Sequence, residues 1–201
     1  MASASTAAET ATRPVRERIL QAADTLFYGD GIRAVSADRI IAAAGVSKVT
    51  FYRHFPTKDD LVVGYLTARS ADERRGVERL QAAFPDDPAQ VLEQIARTMV
   101  RARCEESFRG CTWINAAAEY PDADHPVRRT IADHRTWFRQ VLSDQLRALG
   151  VTETAPVVEQ LMILRDGAMV TGYIGPGTDD PQPLISAGRA VIAATVAAQA
   201  D

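Results

Sequence analysis

The sequence of 201 residues is poor in cysteine, in aromatic side chains and in long apolar runs. Its two cysteines, Cys104 and Cys111, are too few for a disulfide framework, so we expect free buried thiols in a reducing cytoplasm. No stretch approaches the roughly 18 apolar residues of a membrane span, and we expect no contact with a membrane. Residues 1–12 have neither a basic start nor an apolar centre, which predicts a disordered tail and not a signal peptide.

The chain also lacks an excess of positive charge. It has 23 Lys and Arg residues against 26 Asp and Glu, a formal net charge of −3, whereas nucleic-acid-binding domains are commonly basic. The charges are distributed unevenly, however. Residues 13–58 hold eight basic and four acidic residues, a net charge of +4, which leaves −7 for the remainder. Because salt screens charges more than about 8–10 Å apart, such a local basic segment can still bind phosphate.

Apolar residues recur at helical spacing along almost the whole chain, and no β-type alternation extends beyond a few residues. Proline and glycine divide the sequence into about nine helical segments, which predicts an all-α fold. Two helix starts carry recognisable capping residues. Thr57 to Asp60 has the spacing of a capping box, and Asp124 is predicted to cap the helix that begins at Pro126.

Two short helices joined by a tight turn are predicted between residues 36 and 54. Ser36 and Ser47 are suitable N-caps for the two helices, and Gly45 between them adopts a positive φ without strain. The arrangement is that of a helix-turn-helix, with a third helix formed by the preceding segment. In such a unit the second short helix presents its N-terminal residues to base edges in the major groove.

The side chains of that second helix suit contact with DNA. Lys48 can donate to guanine or phosphate, Val49 is small enough for close approach, and Thr50 offers a hydroxyl and a methyl group. Lys58 lies near the start of the next helix, where free N–H groups also favour an anion. Any one of these residues alone is typical of a solvated helix face, but the combination favours DNA. The predicted DNA-contacting residues are Ser36, Ser47, Lys48, Val49, Thr50, Tyr52, Arg53, His54 and Lys58.

The segment AAAGVSKVTFYRHFPTK, residues 42–58, closely resembles the helix-turn-helix signature of tetracycline-repressor-like (TetR family) transcription regulators. Phe51 stands where that family often has leucine, a change that we expect to affect only packing. The resemblance extends over about residues 14–66. The preceding helix contributes to it through Ala22, Leu26, Phe27, Gly31 and Ile32.

The resemblance implies a homodimer that places one recognition helix in each half-site of a palindromic operator. It implies base contacts from Lys48, Val49 and Thr50, with phosphate contacts from Tyr52, His54 and Lys58. The expected domains are a helix-turn-helix DNA-binding domain at 13–60 and a helical ligand-binding and dimerisation domain at 61–201. A small-molecule effector would release the DNA, and no cofactor is expected. Repressor and activator remain alternatives, because both would make the same DNA contacts.

A different class of function is a helical small-molecule-binding protein or enzyme whose N-terminal motif is purely structural. The sequence shows no nucleophile elbow, phosphate-binding glycine loop or metal-ligand spacing, so we expect no enzyme activity. Five side chains between residues 108 and 138 could line an effector pocket, although an aromatic plug in the helical core explains them equally well. These candidates are Trp113, Asn115, Glu119, Tyr120 and Trp137.

Nearby acidic and histidine side chains do not match a closed metal site, and no metal is predicted. The last two helices, at about 156–174 and 184–198, are too apolar to face water on more than one side. Small residues such as Ala187, Gly188 and Ala194 permit close approach of helices. We therefore expect two helices from each subunit to form a four-helix interface with two-fold symmetry, the alternative being that they cover their own subunit's core.

Overall fold

The computed structural model describes residues 13–103, 107–175 and 180–199. The predicted tail at 1–12 and the predicted free thiol of Cys104 lie outside the described residues. Within the described ranges the chain forms nine helices and no strands, so the predicted all-α class is confirmed. The helices are α1 (Val15–Asp30), α2 (Ala37–Ala44), α3 (Lys48–His54), α4 (Lys58–Ala83), α5 (Pro88–Arg103), α6 (Thr112–Glu119), α7 (Pro126–Ala148), α8 (Thr154–Ile174) and α9 (Gln182–Ala198).

Local capping explains where the N-terminal helices begin. The Ser36 hydroxyl accepts a hydrogen bond from the N–H of Arg39, and the Ser47 hydroxyl accepts one from the N–H of Thr50. The capping box at the start of α4 is also confirmed. The N–H of Thr57 donates to Asp60 Oδ2, and the N–H of Asp60 donates to Thr57 Oγ1, both at 3.0 Å.

The predicted cap of α7 is wrong. The N–H of Val127 donates to His125 Nδ1 at 3.3 Å, so His125 and not Asp124 supplies the capping side chain. Asp124 instead lies in the preceding turn, where its N–H donates to Asp122 Oδ1. The reason is position, since His125 directly precedes the first helical residue and Asp124 is one residue too early.

The described residues form two compact units. The first contains the chain up to Arg69 together with Asn115–Thr130, and the second contains Ser70–Ile114 and the residues from Ile131 onward. Segment 115–130 belongs with the helix-turn-helix in the first unit, and the expected division into functional domains at residue 60 stays a prediction. Side chains of that segment are hydrogen-bonded to residues 32, 33 and 59.

The first unit has a core of aliphatic and aromatic side chains around the helix-turn-helix. Ile19, Ile40 and Phe51 are completely buried, and α1 packs on α2. The rings of Phe27 and Tyr65 meet edge to face at 5.6 Å. This packing fixes the orientation of the two short helices.

The second unit has its own apolar core. α8 packs on both α5 and α9. The buried cluster consists of Val77, Val91, Ile95, Phe138, Val141, Leu142, Leu146, Val151, Val157, Val158 and Met162. No helix within the described ranges combines the length and apolarity needed to span a bilayer.

Candidate nucleic-acid interface

The turn between α2 and α3 is held by a glycine and by a distant arginine. Gly45 has a φ of 61°, in the left-handed region that favours glycine. Arg18 Nη2 donates to the carbonyl oxygens of Ala44 (2.7 Å) and Gly45 (2.8 Å), at the C-terminal end of α2. A guanidinium is favoured there because the last carbonyls of a helix have no partner within it and carry partial negative charge. Sequence reasoning missed Arg18, which lies 26 residues before its acceptor.

α3 presents its N-terminal residues to solvent. Val49 has 79% of its surface exposed, which is unusual for a large apolar side chain. Lys48 is also exposed and forms a 3.3 Å ion pair with Asp38, a contact that a phosphate or a base can replace at little cost. The Thr50 hydroxyl oxygen accepts a hydrogen bond from the Ser47 hydroxyl. Because a hydroxyl group can donate as well as accept, Thr50 can also donate to a DNA base or phosphate oxygen.

The last turn of α3 combines buried and exposed side chains. Phe51 is completely buried and contacts the exposed ring of Tyr52 edge to face, at 5.2 Å between centroids. Arg53 is exposed and His54 is half-buried. The buried phenylalanine anchors the helix, and its neighbours are left available to phosphate oxygens.

Lys58 and Ser36 lie outside this helix and have different surroundings. Ser36 caps α2 and is exposed. Lys58 Nζ is 3.4 Å from the carbonyl oxygen of Arg33, at a polar recess of about 330 Å³ that Glu119 and Tyr120 also line. The roles of all nine residues toward DNA stay predictions.

Glu119 joins the C-terminal end of α6 to the loop before α2. The N–H of Ile32 donates to its Oε1 at 2.8 Å, the N–H of Arg33 donates to its Oε2 at 2.6 Å, and the Arg33 guanidinium donates to its carbonyl oxygen. The neighbouring Tyr120 hydroxyl donates to Asp59 Oδ1 at 2.9 Å. Burial, followed by this hydrogen bond, raises the pKa of Tyr120 above its ordinary value.

The two predicted pocket tryptophans belong to the second unit and flank one histidine. Trp113 stacks on His134 with 3.7 Å between ring centroids, and Trp137 lies 5.2 Å from the same ring. Glu73 accepts from Trp113 Nε1 at 3.0 Å and lies 3.2 Å from His134 Nε2. Burial raises the pKa of Glu73, but these hydrogen bonds outweigh that effect and leave it below its ordinary value. The cluster therefore resembles the aromatic plug that was the alternative to a pocket.

The remaining pocket candidates belong to the first unit. Asn115 is exposed, whereas Glu119 and Tyr120 bind the partners described above. A ligand role for the five residues stays a prediction. Within the described ranges, no group of three or more His, Cys, Asp or Glu side chains could hold a metal ion.

A cavity that sequence reasoning missed lies in the second unit. It has a volume of about 360 Å³, within the range of small-molecule sites, and its walls come from α5, α7, α8 and α9. None of the five candidate residues lines it. The Leu and Ile residues of α8 and α9 could have indicated this cavity, but from the sequence we expected them to form a dimer interface.

Comparison with known proteins identifies the family. A family model described as bacterial regulatory proteins, tetR family, matches residues 19–64. SCO4454, a TetR-family transcriptional regulator from Streptomyces coelicolor, is 34% identical over 90% of this chain and 95% of its own, with a TM-score of 0.84. The HTH-type transcriptional regulator LmrA of Bacillus subtilis is 26% identical over 79% of this chain and 84% of its own. The chain therefore belongs to the TetR family of bacterial regulatory proteins and is a DNA-binding transcriptional regulator.

Proposed function

We propose that this regulator is a repressor that acts in the cytoplasm as a homodimer on a palindromic operator and is released by a small-molecule effector. The observation that carries the proposal is the surface of α3. Lys48, Val49 and Tyr52 are exposed on a short helix that Phe51 and the Gly45 turn hold in place. This helix belongs to a segment of net charge +4, which complements a DNA backbone.

The dimer is supported by apolar side chains exposed on α8. Ile163 and Ile174 are 71% and 77% exposed, and Val170 lies on the same helical face. Val196 on α9 is a further exposed apolar residue. Water contact with such a row is unfavourable, and a second copy of this chain would cover it with a self-complementary two-fold interface.

The dimer proposal has a direct test. The double variant Ile163→Glu/Ile174→Glu should sediment with the mass of one chain, because it places four charges in the proposed interface. The double variant Thr136→Glu/Gln140→Glu changes exposed positions on α7 and should retain the wild-type mass. A dimer that persists in the first variant would refute this interface.

Release by an effector is supported by two features. The second unit has a cavity of suitable size, and Glu119 at the end of α6 holds the loop that leads into α2. A ligand-dependent shift of α6 would move that loop and with it the recognition helix.

Sequence alone did not distinguish a repressor from an activator. Expression of a reporter gene placed behind the operator separates the two, because a repressor lowers expression and an activator raises it.

The DNA proposal is tested by selecting binding sites from random duplexes with the full chain. We expect an inverted repeat whose half-sites are centred about one helical turn, or a multiple of it, apart. Binding should weaken steeply as salt concentration rises, because phosphate contacts release counterions. Enrichment of sequences without two-fold symmetry would contradict the dimeric mode of binding.

A further inference from the structure

The cavity of the second unit is lined mainly by aliphatic side chains. Three charged residues, Glu93, Arg165 and Arg189, also reach its walls. The apolar lining comes from α5, α7, α8 and α9 and includes Leu92, Phe138, Leu161, Gly188 and Ile192. Such walls favour a hydrocarbon body and leave polar recognition to the few charged groups.

The charged residues differ in depth. The side chain of Arg165 is only 13% exposed, and its guanidinium lies 5.4 Å from the centre of the Phe138 ring. The side chain of Arg189 is 65% exposed, and its Nε donates to Glu93 Oε1 at 2.9 Å. Arg165 is thus the more buried of the two cations that line the cavity, whereas Arg189 is largely exposed and pairs with the mostly buried Glu93.

Arg165 shares its counter-charge with another arginine. Arg165 donates to Asp166 Oδ1 at 2.6 Å, but Arg135 binds both oxygens of the same carboxylate, at 3.2 and 2.7 Å. The pKa of Asp166 lies below its ordinary value, because hydrogen bonds from the two arginines outweigh its burial. Asp166 is therefore shared by two guanidinium groups, although Glu73 also interacts electrostatically with Arg165, and Glu159 with Arg135.

Glu93, the other carboxylate at the cavity, likewise has two arginine neighbours. Glu93 faces both Arg189 and Arg97, whose Nη2 lies 3.9 Å from Glu93 Oε2. Arg97 and Arg189 have side chains that are 36% and 65% exposed, so water screens their charges, whereas Arg165 is a mostly buried cation at the wall of an apolar cavity. A buried cation is costly unless an opposite charge accompanies it, and Arg165 shares the carboxylate of Asp166 with Arg135.

We propose that this cavity binds an organic acid, with an apolar body against the aliphatic walls and one carboxylate paired with Arg165. A planar guanidinium can donate two parallel hydrogen bonds to a carboxylate, which gives orientation as well as affinity. Decanoate has a suitable size, since each of its twelve non-hydrogen atoms needs no more than the roughly 30 Å³ of a water molecule and the cavity has a volume of about 360 Å³. The inference rests on the proposed function, in which the second unit holds the effector.

Direct binding to the full chain without DNA tests the proposal. Isothermal calorimetry with decanoate, decanol and decylammonium compares one hydrocarbon chain with three head groups. We expect saturable binding of decanoate, with decanol and decylammonium at least about tenfold weaker. Equal or tighter binding of either competitor, or no saturable binding of decanoate, overturns the proposal.

Variants separate the head-group contact from the cavity itself. Arg165→Met should weaken decanoate binding about 10- to 100-fold and leave decanol nearly unchanged. Gly188→Leu should reduce the binding of decanoate and decanol alike, because Gly188 lines the cavity and a leucine side chain there, next to Leu161, would occupy part of its volume. Arg139→Met, which removes an arginine paired with the exposed Glu159, should change neither. Equal loss of decanol in Arg165→Met would contradict the assigned head-group partner.

Operator binding is measured separately on the same samples. If the chain binds its operator but decanoate does not bind the chain, the organic-acid inference fails and the DNA-binding proposal stands. If decanoate binds and releases the operator, both are supported. If decanoate binds in an Arg165-dependent manner to a chain that binds no selected duplex, the site is supported and the proposed repressor function fails.

Discussion

The Glu119 contact gives a quantitative prediction about the loop that precedes α2. Glu119 is half-buried, and its two carboxylate oxygens accept from the N–H groups of Ile32 and Arg33 at 2.8 and 2.6 Å. In Glu119→Gln one of these oxygens becomes an NH₂ group, so one backbone donor faces another donor. A hydrogen bond to a charged group contributes about 1.5–3 kcal/mol, and partial exposure favours the lower end of that range.

Amide hydrogen exchange measures this effect locally. A loss of about 1.5–3 kcal/mol corresponds to exchange that is about 10- to 150-fold faster at one or both amides, provided that they exchange by local opening. The matched control is Glu159→Gln, which removes a charge from an exposed ion pair with Arg139. Unchanged exchange at Ile32 and Arg33 in Glu119→Gln would refute the argument that this carboxylate holds the loop.

Two further predictions concern the charged side chains of the two units. Arg18→Met removes both hydrogen bonds from Nη2 to the end of α2 and should lower the free energy of unfolding by about 1–3 kcal/mol, measured by urea denaturation. Arg13→Met, at an exposed arginine that donates to the side chain of Gln21, is its control, and equal stability of the two variants would count against the role of Arg18. The lowered pKa of Asp166 implies stabilisation that is present above the ordinary value of 3.8 and lost as pH falls below it. The stability difference between wild type and Asp166→Asn should therefore shrink on acidification, and a difference independent of pH would exclude this linkage.

Local interactions of the DNA-binding segment could be predicted from sequence. Ser36, Ser47 and the Thr57–Asp60 box cap helices through hydrogen bonds that span three residues, and such spacing is visible in a sequence. The role of Gly45 could be predicted in the same way, since a turn that requires a positive φ favours glycine. The prediction that α3 is the recognition helix follows from these signals together with the basic and apolar side chains in its sequence.

Long-range contacts could not be predicted in the same way. The N–H of Ile32 is 87 residues from Glu119, and no periodic pattern links a backbone donor to a distant carboxylate. The cap of α7 shows a smaller failure, because both Asp124 and His125 can cap and only the helix start decides between them. The cavity depends on the spacing of four helices, which side-chain periodicity does not specify.

The central claim is that α3 reads DNA, and affinity for the selected operator tests it most directly. The measurement compares the wild-type chain with Lys48→Ala/Tyr52→Ala at fixed salt, with Arg139→Ala as a control far along the chain. We predict at least about a hundredfold loss of operator binding in the double variant, since a base or phosphate contact contributes about 1–3 kcal/mol. Its mass in solution and its melting temperature should match those of the wild type. Undiminished operator binding by the folded double variant would contradict the assignment of α3 as the recognition helix.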